Sequence, residues 1–199
     1  MSRRIMSIAA AAVLAACVLS AAVNQSFAAQ AAQAPAFTLE DQDGKKVSLA
    51  DFAGKIVVLE CMNWECPFSK RHMQAGTIKR LAEKYKGKDV VFLGMNSTSH
   101  HNVAANKKAI EDFGLPYSIL DDRSGQVGKA YGAKTTPDIR IIAVSGSIAY
   151  KGAMDNDTMG RKAEGRINYV EQALDELLAG KEVSTPETKP YGCTVKYAK

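Results

Sequence analysis

The residue in this chain best placed to do chemistry is Cys66, in the run Cys61-Met62-Asn63-Trp64-Glu65-Cys66-Pro67-Phe68-Ser69. The apolar stretch Ile56-Val57-Val58-Leu59 before it reads as a buried strand, and a helical pattern follows it, so the thiol should stand at a helix N-terminus. Unpaired N–H groups and the helix dipole stabilise an anion there, and such sites lower a thiol pKa from about 8.5 to roughly 3.5–7.5. The thiolate is the nucleophile of redox chemistry. Pro67 fits the same geometry, because proline suits the first helical position, where an N–H would find no partner. A cycling thiol needs a second sulfur. Position 69 is Ser, so the sulfur has to come from Cys61, five residues upstream, or from Cys193, in the Gly-containing tail after the last helix. Loop-closure entropy grows only logarithmically with length, so the distant Cys193 pays little more than a nearer residue. It is the preferred partner, and a flexible tail is expected to carry it to Cys66.

These groups need a scaffold. Phe37-Thr38-Leu39 and Lys46-Val47-Ser48-Leu49 flank the turn-forming Asp41-Gln42-Asp43-Gly44 and predict an N-terminal hairpin. After the strand ending near Cys61, one helix is predicted from Pro67 to about Tyr85, then a strand over Val90–Met95, a helix over Val103–Phe113 and a short strand at Ser118–Leu120. One or two helical turns follow at Val127–Tyr131. Ile139–Val144 and Ser147–Tyr150 form a hairpin through Ser145-Gly146, and a last helix lines up Ile167, Val170, Leu174, Leu177 and Leu178 before Gly180. The alternation indicates an α/β domain with a mixed central sheet flanked by helices. Lys70, Arg71 and His72 read as a solvated helix face, Trp64 as packing over the active turn, and His100 and His101 as loop residues.

Trp64-Glu65-Cys66-Pro67 at a strand-to-helix turn, with Tyr131-Gly132-Ala133-Lys134-Thr135-Thr136-Pro137 before a hairpin, resembles the thioredoxin-like superfamily in its redoxin or peroxiredoxin-like (AhpC/TSA) branch. Asn63-Trp64-Glu65-Cys66-Pro67-Phe68 together with the tail Lys189-Pro190-Tyr191-Gly192-Cys193 is similar to exported bacterial members. The resemblance spans residues 35–197. It implies a thioredoxin-like fold, a cis peptide before Pro137, and a Thr136 backbone that pairs with an incoming disulfide beside Cys66. It also implies a site made of Cys66, Cys193, Thr136, Pro137, Asn63 and Trp64. Two departures stand out: Ser69 replaces the second Cys of Cys-x-x-Cys, and Asn63 stands where peroxiredoxins place Thr or Ser. Asn still donates and accepts hydrogen bonds.

The first 28 residues read as a signal peptide: Arg3 and Arg4, an apolar Ile5–Val23, then Ser26-Phe27-Ala28 for cleavage. Leu14-Ala15-Ala16-Cys17 offers a competing lipoprotein box, and membrane attachment is expected only if Cys17 is lipidated. Residues 29–36 form an N-terminal tail, 37–180 the redoxin domain and 181–199 the tail carrying Cys193. Cleavage removes two Arg and no acid, lowering the net charge from +5 to +3, too weak a bias to suggest nucleic acid. Three cysteines remain. In an oxidising compartment, an odd count means one disulfide plus a free thiol, or a cycling redox site. The expected partners are a thiol or disulfide redox protein or a peroxide, with no cofactor and no metal. Two alternatives are a copper-binding assembly protein using Cys61, Cys66 and a distant histidine, although Cys-x-x-x-x-Cys is one residue too long for that family's spacing, and a redox-inactive binding module.

Overall fold

The computed structural model describes residues 32–199. The segment expected to be a signal peptide, with Cys17, therefore lies outside the described residues. The chain forms strands β1 (Thr38–Glu40), β2 (Lys46–Ser48), β3 (Ile56–Cys61), β4 (Val90–Asn96), β5 (Ile119–Asp121), β6 (Thr135–Thr136), β7 (Asp138–Ile142), β8 (Ile148–Gly152) and β9 (Cys193–Thr194). The helices are α1 (Pro67–Gln74), α2 (Thr77–Lys84), α3 (Val103–Phe113), α4 (Gln126–Ala130) and α5 (Tyr169–Leu178). Seven strands make one sheet in the order β2-β1-β5-β4-β3-β7-β8. β3, β4 and β5 run parallel, and the hairpin β1–β2 and strands β7 and β8 add antiparallel edges. β6 and β9 form a separate two-stranded pair.

All six residues of β3 are buried, as a central strand covered on both faces requires. The two-residue period sends Ile56 and Val58 into a core with Ile78, Leu81, Tyr85, Val170 and Leu174. Val57, Leu59 and Cys61 enter the opposite core with Leu93, Met95, Leu120, Tyr131 and Val195. β3 thus delivers the chain to Cys66 from the centre of the sheet.

Two elements differ from the sequence expectation. The helix expected over Pro67–Tyr85 is broken in two, because Gly76 adopts φ 61°, a left-handed conformation that stops α1 and starts α2. Ile167 is outside α5, which begins after the Asn168 cap whose side chain accepts from the Glu171 N–H, and it is largely exposed. At the N-terminus, Gln33 pairs with Ser147, so part of the segment expected as a tail is tied to the β7–β8 turn.

Candidate active site

Asn63 shapes the turn between β3 and α1. Its Oδ1 accepts the Glu65 N–H at 2.8 Å and its carbonyl accepts the Cys66 N–H at 3.0 Å. This closes the chain sharply and leaves Cys66 as the cap of α1 with Pro67 at the first helical position. Cys66 is 2% exposed. Its thiol donates to the Thr136 carbonyl at 2.9 Å, and the Thr136–Pro137 peptide is cis.

The tail is docked here. Cys193 pairs in register with Thr136 in the β6–β9 ladder, and its N–H points at the Cys66 sulfur at 3.4 Å. A flexible tail is not what the structure contains; the second sulfur is already beside the first, with all three described cysteines free. Several contacts hold it. The Val195 N–H donates to the Lys134 carbonyl, the Ser99 N–H to the Lys196 carbonyl, and the Tyr197 hydroxyl to the Ala133 carbonyl at 2.8 Å. Gly192 has φ 140°, and a Cβ there would run into the Thr136 carbonyl, so only glycine lets the tail pass this close.

Tyr191 locks the tail to α1. Its hydroxyl accepts from Arg71 Nη2 at 3.1 Å, lies 2.9 Å from His72 Nε2 and donates to the buried Asp155. Arg71 also donates to the carbonyls of Asp157 and Thr158, and His72 is 2% exposed. Of the run read as a solvated face, only Lys70 is fully exposed. The other two are turned inward by a tail residue more than a hundred positions away, which helical periodicity alone cannot reveal. Burial pushes the His72 pKa down to about 4, so its imidazole is neutral at physiological pH.

The sulfurs differ in acidity. Burial raises the Cys66 thiol, but the Cys193 and Thr136 side chains and the backbone N–H groups of Ser69 and Cys193 near the sulfur outweigh it, and the net shift is downward. Burial and the neighbouring Cys66 push Cys193 up to about 11. Cys66 therefore ionises first while Cys193 keeps the proton it donates. Cys61 is buried in the core, and desolvation, followed by the charge of Asp138, drives its thiol far above the ordinary range. The copper arrangement does not form: among the described residues, no group of metal-ligating side chains unites Cys61 and Cys66 with a histidine.

Trp64 does not simply lie over the turn. Its ring stacks on His101, with centroids 4.0 Å apart and planes 10° apart, and Glu65 meets both His100 and His101. The sequence reading also missed Glu60. The β3 alternation aims it to the Ile56 and Val58 side, where it is 2% exposed and neither oxygen has a hydrogen-bond partner of ordinary geometry. The space beside it, lined by His72, Met73, Ile78, Leu115 and Tyr117, has no room for a water molecule. Desolvation pushes its carboxyl up to about 8, offset only in part by Tyr117. The visible signal was one acid inside an otherwise apolar strand.

The pattern of the AhpC/TSA family matches residues 31–151, more than half of the chain. The chain belongs to the AhpC/TSA family. The matched segment contains Cys66, Thr136 and Pro137 and ends before Cys193. Chloroplastic peroxiredoxin Q of Suaeda salsa is 33% identical over 147 residues, covering 72% of this chain and 63% of that protein. The thiol-disulfide oxidoreductase ResA of Bacillus thuringiensis is 28% identical over 116 residues, covering 58% and 65%. The chain thus spans a little under two thirds of the length of each of these relatives. An uncharacterised conserved protein of Geobacillus kaustophilus superposes with a TM-score of 0.76 at 30% identity, over 84% of this chain and 92% of that one. The fold is thioredoxin-like, a mixed seven-stranded sheet flanked by helices, and the family is one of thiol oxidoreductases and peroxiredoxins.

Proposed function

We propose that this protein is an exported thiol-dependent oxidoreductase in which Cys66 is the nucleophile and Cys193 the resolving thiol. The observation that carries the reading is the position of Cys193, whose N–H addresses the Cys66 sulfur from the strand paired with Thr136. In the peroxide reaction, the Cys66 thiolate attacks one oxygen of the O–O bond. The other oxygen leaves as alkoxide or hydroxide and takes up a proton, and Cys66 becomes a sulfenic acid. The Cys193 sulfur then attacks the sulfenic sulfur, releasing water and forming the Cys66–Cys193 disulfide. An external dithiol reduces that bond by exchange, becoming a disulfide itself and supplying two electrons and two protons. With a disulfide substrate, the first step gives a mixed disulfide instead, and Cys193 expels the substrate thiol.

The tail favours the peroxide. A polypeptide disulfide that paired with the Thr136 backbone would have to displace β9, whereas a peroxide needs no strand edge. The relatives named peroxiredoxin Q and thiol-disulfide oxidoreductase ResA support the two chemistries without separating them. Residues 1–28 are proposed as the export signal, with lipidation of Cys17 as the competing fate. No helix among the described residues is long and apolar enough to cross a membrane.

Stopped-flow oxidation of the reduced protein by hydrogen peroxide and, separately, by a model disulfide tests the assignment. The expected result is faster reaction with peroxide and a product whose peptide map contains Cys66 joined to Cys193. A Cys61–Cys66 bridge, or undiminished turnover in Cys66→Ser, overturns it.

A further inference from the structure

Directly beside the nucleophile, three side chains that play no part in the thiol chemistry converge. Glu65 Oε2 lies 2.9 Å from His100 Nε2, and Glu65 Oε1 lies 3.2 Å from His101 Nε2. All three residues bring a ligand atom within 4.8 Å of the other two. Among the described residues, this is the group of His, Cys, Asp and Glu side chains with donor atoms gathered closely enough to hold one ion.

The arrangement is built on His101. Its ring is 6% exposed and stacked on Trp64, and its Nδ1 meets the side-chain amide of Asn96, 3.4 Å from Oδ1 and 3.1 Å from Nδ2; that Nδ2 donates to Asn106 Oδ1 at 2.7 Å. In the tautomer whose Nδ1–H donates to the Asn96 oxygen, Nε2 carries the lone pair a metal takes and is aimed at a fixed point, which is how ligating histidines are oriented. That other nitrogen, Nε2, is buried and has no hydrogen-bond partner; Glu65 is close enough but not aligned. Glu65 is placed by the Asn63 turn, and His100 comes from the loop that ends at the Asn102 cap of α3.

We propose that Glu65, His100 and His101 form a binding site for a divalent transition-metal ion, with zinc as the reference ion. Zinc takes imidazole nitrogen and carboxylate oxygen at about 2.0–2.2 Å, so a tetrahedral site puts its donors about 3.3 Å apart. Each imidazole nitrogen lies within a few tenths of an ångström of that distance from one Glu65 oxygen, Oε2 for His100 and Oε1 for His101. Two nitrogens and one oxygen without thiolate suit zinc, nickel(II) or copper(II) rather than copper(I), and three protein ligands leave a position open. This site uses neither Cys61 nor Cys66 and stands apart from the thiol cycle. Its consequence is positional: Glu65 is covalently joined to Cys66, so a bound ion ties the nucleophile's turn to the loop between β4 and α3.

Trp64 is the only tryptophan in the chain, which makes its fluorescence a reporter of its stacking partner, His101. The protein is prepared as Cys66→Ser/Cys193→Ser to prevent binding by the active-site sulfurs. Zinc is titrated by calorimetry and nickel(II) by quenching of Trp64. The expected result is saturable binding of one ion per chain by both methods, weakened at least about tenfold in His100→Ala and in Glu65→Gln. Both substituted side chains are more than half exposed, so the variants should keep the fold, which far-UV circular dichroism checks. Absence of saturable binding, or an affinity unchanged by both substitutions, overturns the proposal and leaves Glu65 as a carboxylate lying between two imidazoles.

Discussion

Replacing Glu60 by Gln should stabilise the protein, and increasingly so as the pH rises. Glu60 is buried with no hydrogen-bond partner of ordinary geometry and no room for water, and its folded-state pKa is pushed up to about 8 from an ordinary 4.5. As the pH passes 4.5, the unfolded chain releases this proton while the folded chain retains it, so stability falls until the folded state also ionises near pH 8. Each unit of separation is worth about 1.4 kcal/mol, so the loss reaches about 3 kcal/mol at pH 7 and about 5 kcal/mol above pH 8. Gln has the shape of the neutral acid and the same lack of partners, so the cost of burying an unpaired polar group largely cancels in the comparison. Glu60→Gln should therefore gain up to about 3 kcal/mol at pH 7, or roughly 6–12 °C in Tm for a domain of this size. In urea, with a slope of about 2 kcal/mol/M, the midpoint should rise by about 1.5 M. Unfolding curves at pH 5, 7 and 9 should show a difference that is small at pH 5 and largest at pH 9. An equal difference at all three, or a variant no more stable than the parent at pH 7, would refute the account of a desolvated, unpaired carboxyl.

The remaining expectations concern the sulfurs and the tail. In Cys193→Ser, one equivalent of peroxide should leave Cys66 as a sulfenic acid that dimedone traps, with no intramolecular disulfide; mass spectrometry that found a Cys61–Cys66 bridge would move the resolving role. In the presence of a chelator at pH 7, Cys66 should be alkylated at least about 100-fold faster than Cys61, because its thiol is shifted below the ordinary range while burial holds that of Cys61 far above it; comparable rates would contradict the assignment. Gly192→Ala should disfavour tail docking by about 2 kcal/mol, roughly 30-fold, because its Cβ would collide with the Thr136 carbonyl. Faster trypsin cleavage after Lys196 and slower Cys66–Cys193 closure should report it, and unchanged rates of both would show that the tail tolerates the side chain.

What the sequence disclosed was what its near neighbours specify. The apolar run Ile56–Leu59, the Cys66-Pro67 pair and the Asn63 turn lie within a dozen residues, so strand, cap and nucleophile could be read together. The hairpin before β3 and the strand pairs at β7 and β8 were legible for the same reason, through turn residues and two-residue alternation. Gly76 carried a stop signal that a continuous helical pattern masked; a left-handed glycine between Met73 and Ile78 divides one amphipathic face between two helices. The rest depends on partners far along the chain. Arg71 and His72 look like a wet helix face until Tyr191 and Asp155 turn them inward, and nothing near Cys193 declares that Gly192 will press against Thr136. Glu65 and the pair His100-His101 are each unremarkable alone; they meet because parallel β3 and β4 end side by side, so the loops that follow them share one edge of the sheet. The same topology explains why Trp64, Glu65 and Cys66 face different neighbours from consecutive positions. The turn after β3 has to satisfy the His loop with two of its residues and the tail with the third, and the active-site sulfur is the one left facing Cys193.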